Sequence, residues 1–442
     1  MQRMQHAMPQ IALALKFAYE AELRPCKRRL VRVQFDIEIE VGKQVKRVLH
    51  ERFVQPAGDD RADPRNEPCF HQIGQGRLRE HDHHRALTIL RRMRMDHDPM
   101  LLLTGGSGLL GSGMIPHLRT HRPDRTIVIL TRQPDAISAS PGVVSVRADV
   151  SRDDLGLERN VADELRERVT EIMHCAADVR FNATLEDSRR VNTLGTRRLL
   201  DFAGQCRGLA KFAHVSTLYI AGRRPGVVRE RELRHDCGYF NAYEQAKHEA
   251  EHLVYARMGS LPLCVYRPSA IIGNAATGRI SRKNFFHRLI ALAPRAACLP
   301  CLPIHAAAPV DLIADDWCSR AIAVLFDEYF EAGATHHLCA GREFSLTARE
   351  VLDMVFRVVE EQTGVKIVKP PLGSWQEIER RRGELCAGNE RTLLDLITQF
   401  LPHVAVSQPF DRGATGNILR DRQLTLPAPA GFVERVIRQT VH

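Results

Sequence analysis

The sequence lacks long hydrophobic runs, which would assign the chain to a membrane or mark an export signal. The apolar stretch at residues 11–15 is ended by Lys16, so it is too short for a membrane span or for the core of a signal peptide. The longer apolar stretch at 289–308 contains Arg295 and three prolines, which favours a loop or the lining of a pocket. We therefore predict a cytoplasmic protein without a membrane span.

A cysteine pattern typical of disulfide-bonded proteins is also lacking. The eleven cysteines are an odd number and are spread singly along the chain, so we expect a reducing compartment and no disulfide framework. The close pair Cys298 and Cys301 has no second Cys or His pair to complete four zinc ligands. The histidines at 81–84 have no packed context around them. We predict no metal site at either place.

Nucleic-acid motifs are absent, although basic residues exceed acidic ones and the formal net charge is +10. Basic runs such as 27–29 and 380–382 are scattered, as is typical of solvated helix faces. We therefore predict no nucleic-acid partner. A basic surface would also suit a polyanionic cofactor or an acyl carrier.

Residues 1–98 differ from the rest of the chain. They are rich in Arg and His and show little periodicity apart from a short strand predicted at 31–41. Three interpretations stay open: a small accessory domain, a disordered basic leader, or a stretch before the native start, since Met95 and Met100 lie just before the next region. We predict a poorly defined N-terminal extension at 1–98.

From Met100 short apolar runs alternate with amphipathic segments, which predicts βαβ units around a parallel sheet. We predict an α/β fold with a Rossmann-type doubly wound sheet at 99–272, and a smaller, mostly helical substrate-binding and cap region at 273–442. The predicted strands are 100–103, 126–130, 143–147, 171–175, 211–216 and 261–266. The predicted helices are 185–206, 241–257, 312–330 and 347–363, and the remainder of the cap is predicted to be irregular.

A glycine-rich turn lies between the first predicted strand and the helix that follows it. Gly105 allows the tight turn, Gly108 lets the backbone approach a pyrophosphate, and Gly111 permits close packing of helix on strand. The helix N-terminus adds free N–H groups and a favourable dipole. We predict dinucleotide binding by Thr104, Gly105, Ser107, Gly108, Leu109, Leu110 and Gly111.

The end of the second strand bears on the choice of dinucleotide. Proteins that bind NAD usually place an acidic residue there, on the ribose 2′-hydroxyl. This chain has Thr131-Arg132 instead, so no carboxylate repels a 2′-phosphate and Arg132 can pair with one. We therefore predict NADPH rather than NAD. The alternative is that Arg132 is a solvated loop charge.

Tyr243 and Lys247 lie one turn apart on one face of a predicted helix, after a strand that ends in Ser216-Thr217. A nearby ammonium favours phenolate, so we expect the pKa of Tyr243 to lie below its ordinary value of about 10. Tyr243 would then act as general acid toward a carbonyl oxygen as hydride arrives.

The order of these motifs resembles the extended short-chain dehydrogenase/reductases, over roughly residues 100–345. The segments that carry the resemblance are 104–111, 148–150, 174–177, 191–196, 214–217, 243–247 and 267–269. The resemblance implies that Asp149 and Val150 lie on the adenine, that Ala176 and Ala177 line the cofactor cleft, and that Pro268 flanks the nicotinamide. It also implies that Lys247 binds the nicotinamide ribose and that Thr217, with Ser216 as the alternative, is the third catalytic hydroxyl.

Within that family, the phrases HCAADVRFNATLEDSRRVNTLGT, HVSTLYIAGRRPG and RPSAIIGNAATG resemble the fatty acyl-CoA reductases and thioester reductase domains. This implies hydride transfer to an acyl thioester, a hemithioacetal held by Thr217 and Tyr243, and collapse to an aldehyde, with or without a second reduction to the alcohol. The acyl group would come from coenzyme A or from a separate acyl carrier protein. An oligomer is left open.

Other functions stay open at this point. A ketone or alcohol dehydrogenase would keep the same fold and cleft. Thr131-Arg132 disfavours a nucleotide-sugar epimerase or dehydratase, and the intact Tyr-Lys pair disfavours an NADP-sensing binding protein. The apolar residues Phe285, Phe286, Leu289 and Ile290 fit either a hydrophobic entrance for an acyl chain or the core.

Overall fold

A computed structural model describes residues 31–41, 44–54, 99–137, 140–231, 233–380 and 408–441. Several predictions fall outside these residues: the basic run 27–29, the histidines at 81–84, a start at Met95, and Arg381 and Arg382 of the second basic run. The side chain of Cys298 also lies outside the described part.

The chain divides into two units, Met1–His71 and Gln72–His442. In the first, strand β1 (Val31–Val41) pairs antiparallel with β2 (Gln44–Val54) in continuous register. The strand predicted at 31–41 is therefore present. Its partner was not predicted because the apolar residues at 45, 48, 49 and 53 follow a helical spacing. The predicted domain bounds at 98 and 272 stay predictions.

The second unit is built on short, mostly parallel strands. They are β3 (Met100–Thr104), β4 (Thr126–Thr131), β5 (Val143–Arg147), β6 (Glu171–His174), β7 (Lys211–Val215), β8 (Leu263–Pro268), β9 (Ala270–Gly273), β10 (Pro309–Val310), β11 (Leu312–Ala314), β12 (Thr335–Leu338) and β13 (Leu346–Thr347).

Seven of these strands form one parallel sheet in the order β12-β8-β7-β6-β3-β4-β5. The order reverses direction at β3, which is the doubly wound arrangement, so the predicted fold class is confirmed. All six predicted strands lie in this sheet. The seventh, β12, was missed because His336 and His337 interrupt its apolar pattern. Both are buried and hydrogen-bonded, His336 to Thr415 and His337 to the carbonyl of Asp411.

The helices of this unit are α1 (Leu109–His121), α2 (Arg159–Arg168), α3 (Leu185–Ala203), α4 (Ala242–Arg257), α5 (Phe285–Leu292), α6 (Asp315–Glu328), α7 (Gly341–Phe344), α8 (Ala348–Thr363), α9 (Trp375–Arg380), α10 (Gly413–Asp421) and α11 (Pro429–Val441). No described helix is long and apolar enough to cross a membrane.

Both faces of the sheet are buried, as continuous apolar strands predict. Leu101 and Leu103 of β3 belong to the core that contains α6 and α8, whereas Met100 and Leu102 point to the core that contains α2 and α3. This alternation follows from the two-residue period of a strand. Because both faces are covered, the loops at the carboxyl edge of the sheet are the place where a ligand can reach it.

Two expectations for the C-terminal region are wrong. The segment predicted as a helix at 312–330 begins as strand β11, which pairs with β9, and the helix begins only at Asp315. Asp315 and Asp316 suit a helix start because their charges favour the positive end of the helix dipole. The remainder predicted as irregular contains five helices, α5, α7, α9, α10 and α11. Pro429 opens α11, where its missing N–H costs no hydrogen bond.

Candidate active site

The glycine loop follows β3 at the carboxyl edge of the sheet. Gly105 has a φ of 71°, and a Cβ there would lie 2.6 Å from the amide nitrogen of Ala176. A Cβ on Gly111 would overlap the carbonyl oxygen of Gly105. These positions require glycine, because the loop folds against β6 on one side and against its own helix on the other.

Helix α1 begins at this loop with an open N-terminus. Gly108 is its N-cap and provides no side-chain cap, so the first helical N–H groups remain available to an anion. The Gly108 amide itself donates to the Gly105 carbonyl at 2.8 Å, which closes the turn. The residues of this turn therefore fit the diphosphate of a dinucleotide.

A cavity of about 470 Å³ joins this loop to the predicted catalytic residues. Its walls come from the glycine turn, from the loop after β6, from the end of β7, from α4 and from the segment after β8. The predicted site residues that line it are Gly105, Gly108, Leu109, Leu110, Gly111, Ala177, Thr217, Tyr243, Lys247 and Pro268.

The other predicted cofactor residues do not line this cavity: Thr104, Ser107, Arg132, Asp149, Val150 and Ala176. Thr104 is buried, and its hydroxyl bonds His174 Nδ1 at 2.7 Å and accepts from the Ala176 amide at 3.2 Å. Thr104 thereby joins β3 to the loop after β6. Ser107 contributes its carbonyl, which accepts from Arg282 at 3.0 Å.

The predicted adenosine end lies beyond the ends of β4 and β5. Burial alone would raise the pKa of Asp149, but hydrogen bonds from Ser151 and the charges of Arg132 and Arg152 hold it below its usual value. Arg147, at the end of β5, donates to the carbonyl of the exposed Arg132 at 2.9 Å. Arg147 was not predicted, although the register that pairs it with Thr131 places it beside the end of β4. Two guanidinium groups therefore flank this end of the sheet.

Helix α4 presents the Tyr-Lys pair. Asn241 caps the helix by accepting from the Glu244 amide at 3.0 Å, which fixes the first turn where Tyr243 lies. Lys247 is 2% exposed, and its ammonium donates to the carbonyl of Val215 at 2.8 Å. Burial lowers the pKa of Lys247 to about 8, against the opposing effects of Glu251 and Cys175.

His214 lies beneath Lys247, with its Nε2 3.4 Å from the ammonium. An ammonium only donates, so Nε2 must accept and Nδ1 must carry the proton. Nδ1 has no hydrogen-bond partner among the described residues. Burial and the nearby charge of Lys247 hold the pKa of His214 well below its usual value, so the imidazole is neutral.

The expected lowering of the Tyr243 pKa is wrong for this structure. Burial raises the pKa, a hydrogen bond with Thr217 works against it, and the Glu244 carboxylate adds to the rise. The ammonium of Lys247, which was expected to lower it, donates to Val215 instead. Tyr243 is therefore protonated at neutral pH, the form that a general acid needs.

Both candidates for the third hydroxyl line the cavity. Thr217 caps the short helical turn Leu218–Ala221 and donates to the carbonyl of Pro268 at 3.4 Å. Ser216 is buried, and its hydroxyl has no partner within the described ranges. Thr217 lies within hydrogen-bonding reach of Tyr243, which favours it as the third hydroxyl. Ser216 stays the alternative for that role.

Aromatic and basic residues complete the cavity wall, and of these only Phe285 was named from the sequence, as part of a hydrophobic entrance. Phe181 stacks on Tyr243 with ring centroids 5.7 Å apart and on Phe285 at 5.6 Å, and Tyr219 meets Phe285 edge-on at 6.1 Å. Phe181 comes from the segment after β6, Tyr219 from the helical turn Leu218–Ala221 and Phe285 from the start of α5, so no single sequence periodicity groups them. Arg282, Lys283 and Arg288 form a basic rim.

Known proteins resemble this chain in sequence and in fold. A family described as male sterility protein matches residues 136–322. A putative fatty acyl-CoA reductase of Drosophila melanogaster is 25% identical over 270 residues, 50% of this chain and 49% of that protein. An isonitrile lipopeptide synthase of Streptomyces coeruleorubidus is 30% identical over 223 residues, 45% of this chain and 15% of that protein. The chain thus spans half or less of these relatives.

The solved structures carry the same fold. The terminal R domain of the myxalamid PKS-NRPS pathway superimposes with a TM-score of 0.64 and 24% identity, over 79% of this chain and 92% of that domain. The reductase domain of a nonribosomal peptide synthetase from Mycobacterium tuberculosis gives 0.57, with 20% identity over 80% of this chain and 95% of that domain. The chain is therefore similar in sequence to fatty acyl-CoA reductases, and it shares its fold with reductase domains of nonribosomal peptide synthetases.

Proposed function

We propose that this protein reduces an acyl thioester to an aldehyde, with NADPH as the reductant. One observation carries the proposal: the cavity that begins at the diphosphate-binding turn ends at Thr217, Tyr243 and Lys247. A dinucleotide bound along it would supply hydride at the end where a proton donor lies. The names of the related reductases support a thioester as the acceptor.

The side chains of this protein would act on the carbonyl oxygen of the substrate. Thr217 and Tyr243 would donate hydrogen bonds to that oxygen, and these bonds strengthen as negative charge develops on it. The carbonyl carbon gains hydride and the oxygen gains the Tyr243 proton, which yields a hemithioacetal. Lys247, fixed by Val215 and His214, would hold the ribose and keep a positive charge near the phenol.

The hemithioacetal then collapses to products. Its hydroxyl proton leaves, the C=O bond re-forms, the C–S bond breaks, and the sulfur leaves with the electron pair and is protonated. The sum is thioester, NADPH and one proton giving aldehyde, thiol and NADP⁺. No oxidant is required.

The basic rim supports an anionic acyl donor. Arg282, Lys283 and Arg288 line the same cavity as Tyr243, and phosphate groups pair well with guanidinium and ammonium groups. Coenzyme A and a carrier protein both present the acyl group on a phosphopantetheine arm. We include both as donors. A thiolation-reductase di-domain is among the proteins with this fold.

The test is NADPH oxidation with a panel of acyl-CoA thioesters, ketones and aldehydes, combined with detection of aldehyde and free thiol. We expect thioester-dependent oxidation that falls about 10²- to 10⁴-fold in Tyr243→Phe, because the variant loses its general acid. Tyr255→Phe is the matched control: it lies on the same helix, and its hydroxyl bonds Thr335, away from the cavity. Oxidation with ketones alone would reject the proposal in favour of an alcohol dehydrogenase.

A further inference from the structure

A second cavity points to the kind of acyl group, if the proposed thioester reduction holds. We infer that the acyl group is uncharged and apolar and that about six of its carbon atoms lie in a cavity behind Phe285. This cavity measures about 120 Å³. It lies between α5, the short helical segment Ala293–Cys298 and α8.

All the side chains that line the second cavity are apolar in the described part of the chain. Phe286, Leu289 and Ile290 come from α5, and Val351, Leu352 and Val355 come from α8. A carboxylate, ammonium or hydroxyl group placed here would lose its hydration without gaining a hydrogen bond, which is strongly unfavourable. The chemistry of the walls therefore selects a hydrocarbon group.

Phe285 connects the second cavity to the reaction site, because it lines both cavities. Its ring stacks on Phe181, which in turn stacks on Tyr243. A substrate whose carbonyl oxygen lies at Tyr243 can thus pass along an aromatic wall and place its distal carbons beyond Phe285. The basic rim lies on the reaction-site side, where the anionic arm of the donor would remain.

The volume of the cavity limits the group it holds. Apolar cavities of about 150 Å³ bind a single benzene molecule, which has six carbon atoms. The cavity behind Phe285 is of that scale. Each methylene buried there should strengthen binding about fourfold, until the cavity is filled.

The experiment uses the full chain and straight-chain acyl-CoA thioesters from acetyl to tetradecanoyl. Binding is measured by calorimetry without nucleotide, and kcat/KM is measured by NADPH oxidation. We expect both affinity and kcat/KM to rise about fourfold for each methylene that enters the cavity and to level off between octanoyl and dodecanoyl, because the carbonyl and the carbons that pass Phe285 add to those that fill the cavity. An octanoyl group that ends in a carboxylate should bind more weakly than octanoyl itself.

Leu352→Phe fills the cavity, so it should lower the affinity for octanoyl-CoA at least tenfold and change the affinity for acetyl-CoA less than twofold. Met354→Phe is the matched control, because Met354 is on the same helix, is equally half-buried and does not line the cavity. Ala348→Leu fills the cavity from the first turn of α8 and replaces Leu352→Phe if that variant does not fold.

The outcomes separate this inference from the proposed function. Thioester reduction that is independent of acyl length, or that keeps rising through tetradecanoyl, would overturn the inference and leave the proposed function intact. Equal effects of Leu352→Phe and Met354→Phe would also overturn it. If affinity depends on acyl length and Leu352→Phe lowers the length at which it levels off, but no thioester is reduced, the cavity assignment is supported and thioester reduction is rejected.

Discussion

Burial sets the protonation of the two central side chains. It raises the pKa of Tyr243 and lowers that of Lys247 to about 8, so both are protonated at neutral pH. The spacing of the two residues was visible in the sequence, but their burial was not. The sequence therefore identified the pair and gave the wrong direction for the tyrosine pKa, because proximity in sequence says nothing of desolvation.

The lowered pKa of Lys247 predicts how NADPH affinity depends on pH. The ammonium predominates below about pH 8 and is lost above it, so anionic NADPH must bind with uptake of a proton at higher pH. We expect the NADPH Kd to rise about twofold from pH 7 to 8 and by at most about tenfold per pH unit above that. Cofactor fluorescence measures this Kd.

Lys247→Arg is the control for this dependence, because a guanidinium keeps its charge over the whole range. The pKa values of the adjacent His174 and His214 are lowered by burial, and that of Cys175 is raised to about 12, so these groups do not titrate between pH 7 and 9.5. An equal rise of Kd in Lys247→Arg would show that another group is responsible.

The positions of Arg132 and Arg147 predict which dinucleotide this protein prefers. Both guanidinium groups lie at the ends of β4 and β5, where a 2′-phosphate would be placed. Replacing both by Ala should lower kcat/KM for NADPH about ten- to a hundredfold, the effect of losing charged hydrogen bonds, and should leave NADH nearly unchanged. Arg159→Ala, on the exposed face of α2, is the control. Equal kcat/KM for the two cofactors in the wild type would contradict the assignment.

At the scale of elements, the sequence revealed the strands whose apolar runs are continuous. It missed β12, where buried histidines hide the pattern, and β11, whose three apolar residues run directly into α6. Phe286 and Ile290, for which entrance and core were both left open, pack in the core and also line the second cavity, and their role as an entrance stays a prediction. That cavity needs α5 and α8, which are distant in sequence, so only the fold brings its walls together.

At the scale of the whole second unit, the buried guanidinium of Arg125 joins the sheet to α1 and α6. It lies at the amino edge of the strands, opposite the candidate active site. Arg125 is fully buried and pairs with Glu171 at the start of β6 and with Asp327 near the end of α6. It also donates to the carbonyl of Leu118 in α1. Without this cation, among the described residues, Glu171 would keep only Lys211, 3.8 Å away, and Asp327 would keep only a hydrogen bond to His121 at 3.2 Å.

We therefore expect Arg125→Met to lower the free energy of unfolding by about 3–5 kcal/mol, because breaking a buried ion pair exposes an uncompensated charge to a low dielectric. Arg122→Met is the control: its pair with Asp124 is nearly half exposed and should contribute at most about 1 kcal/mol. Urea denaturation followed by circular dichroism measures both variants. Adding Glu171→Leu and Asp327→Leu to Arg125→Met should recover much of the loss, since the cluster then contains no buried carboxylate. If the triple variant is instead less stable than Arg125→Met alone, the cluster stabilises the fold through its geometry, and the assumed penalty of unpaired carboxylates is wrong.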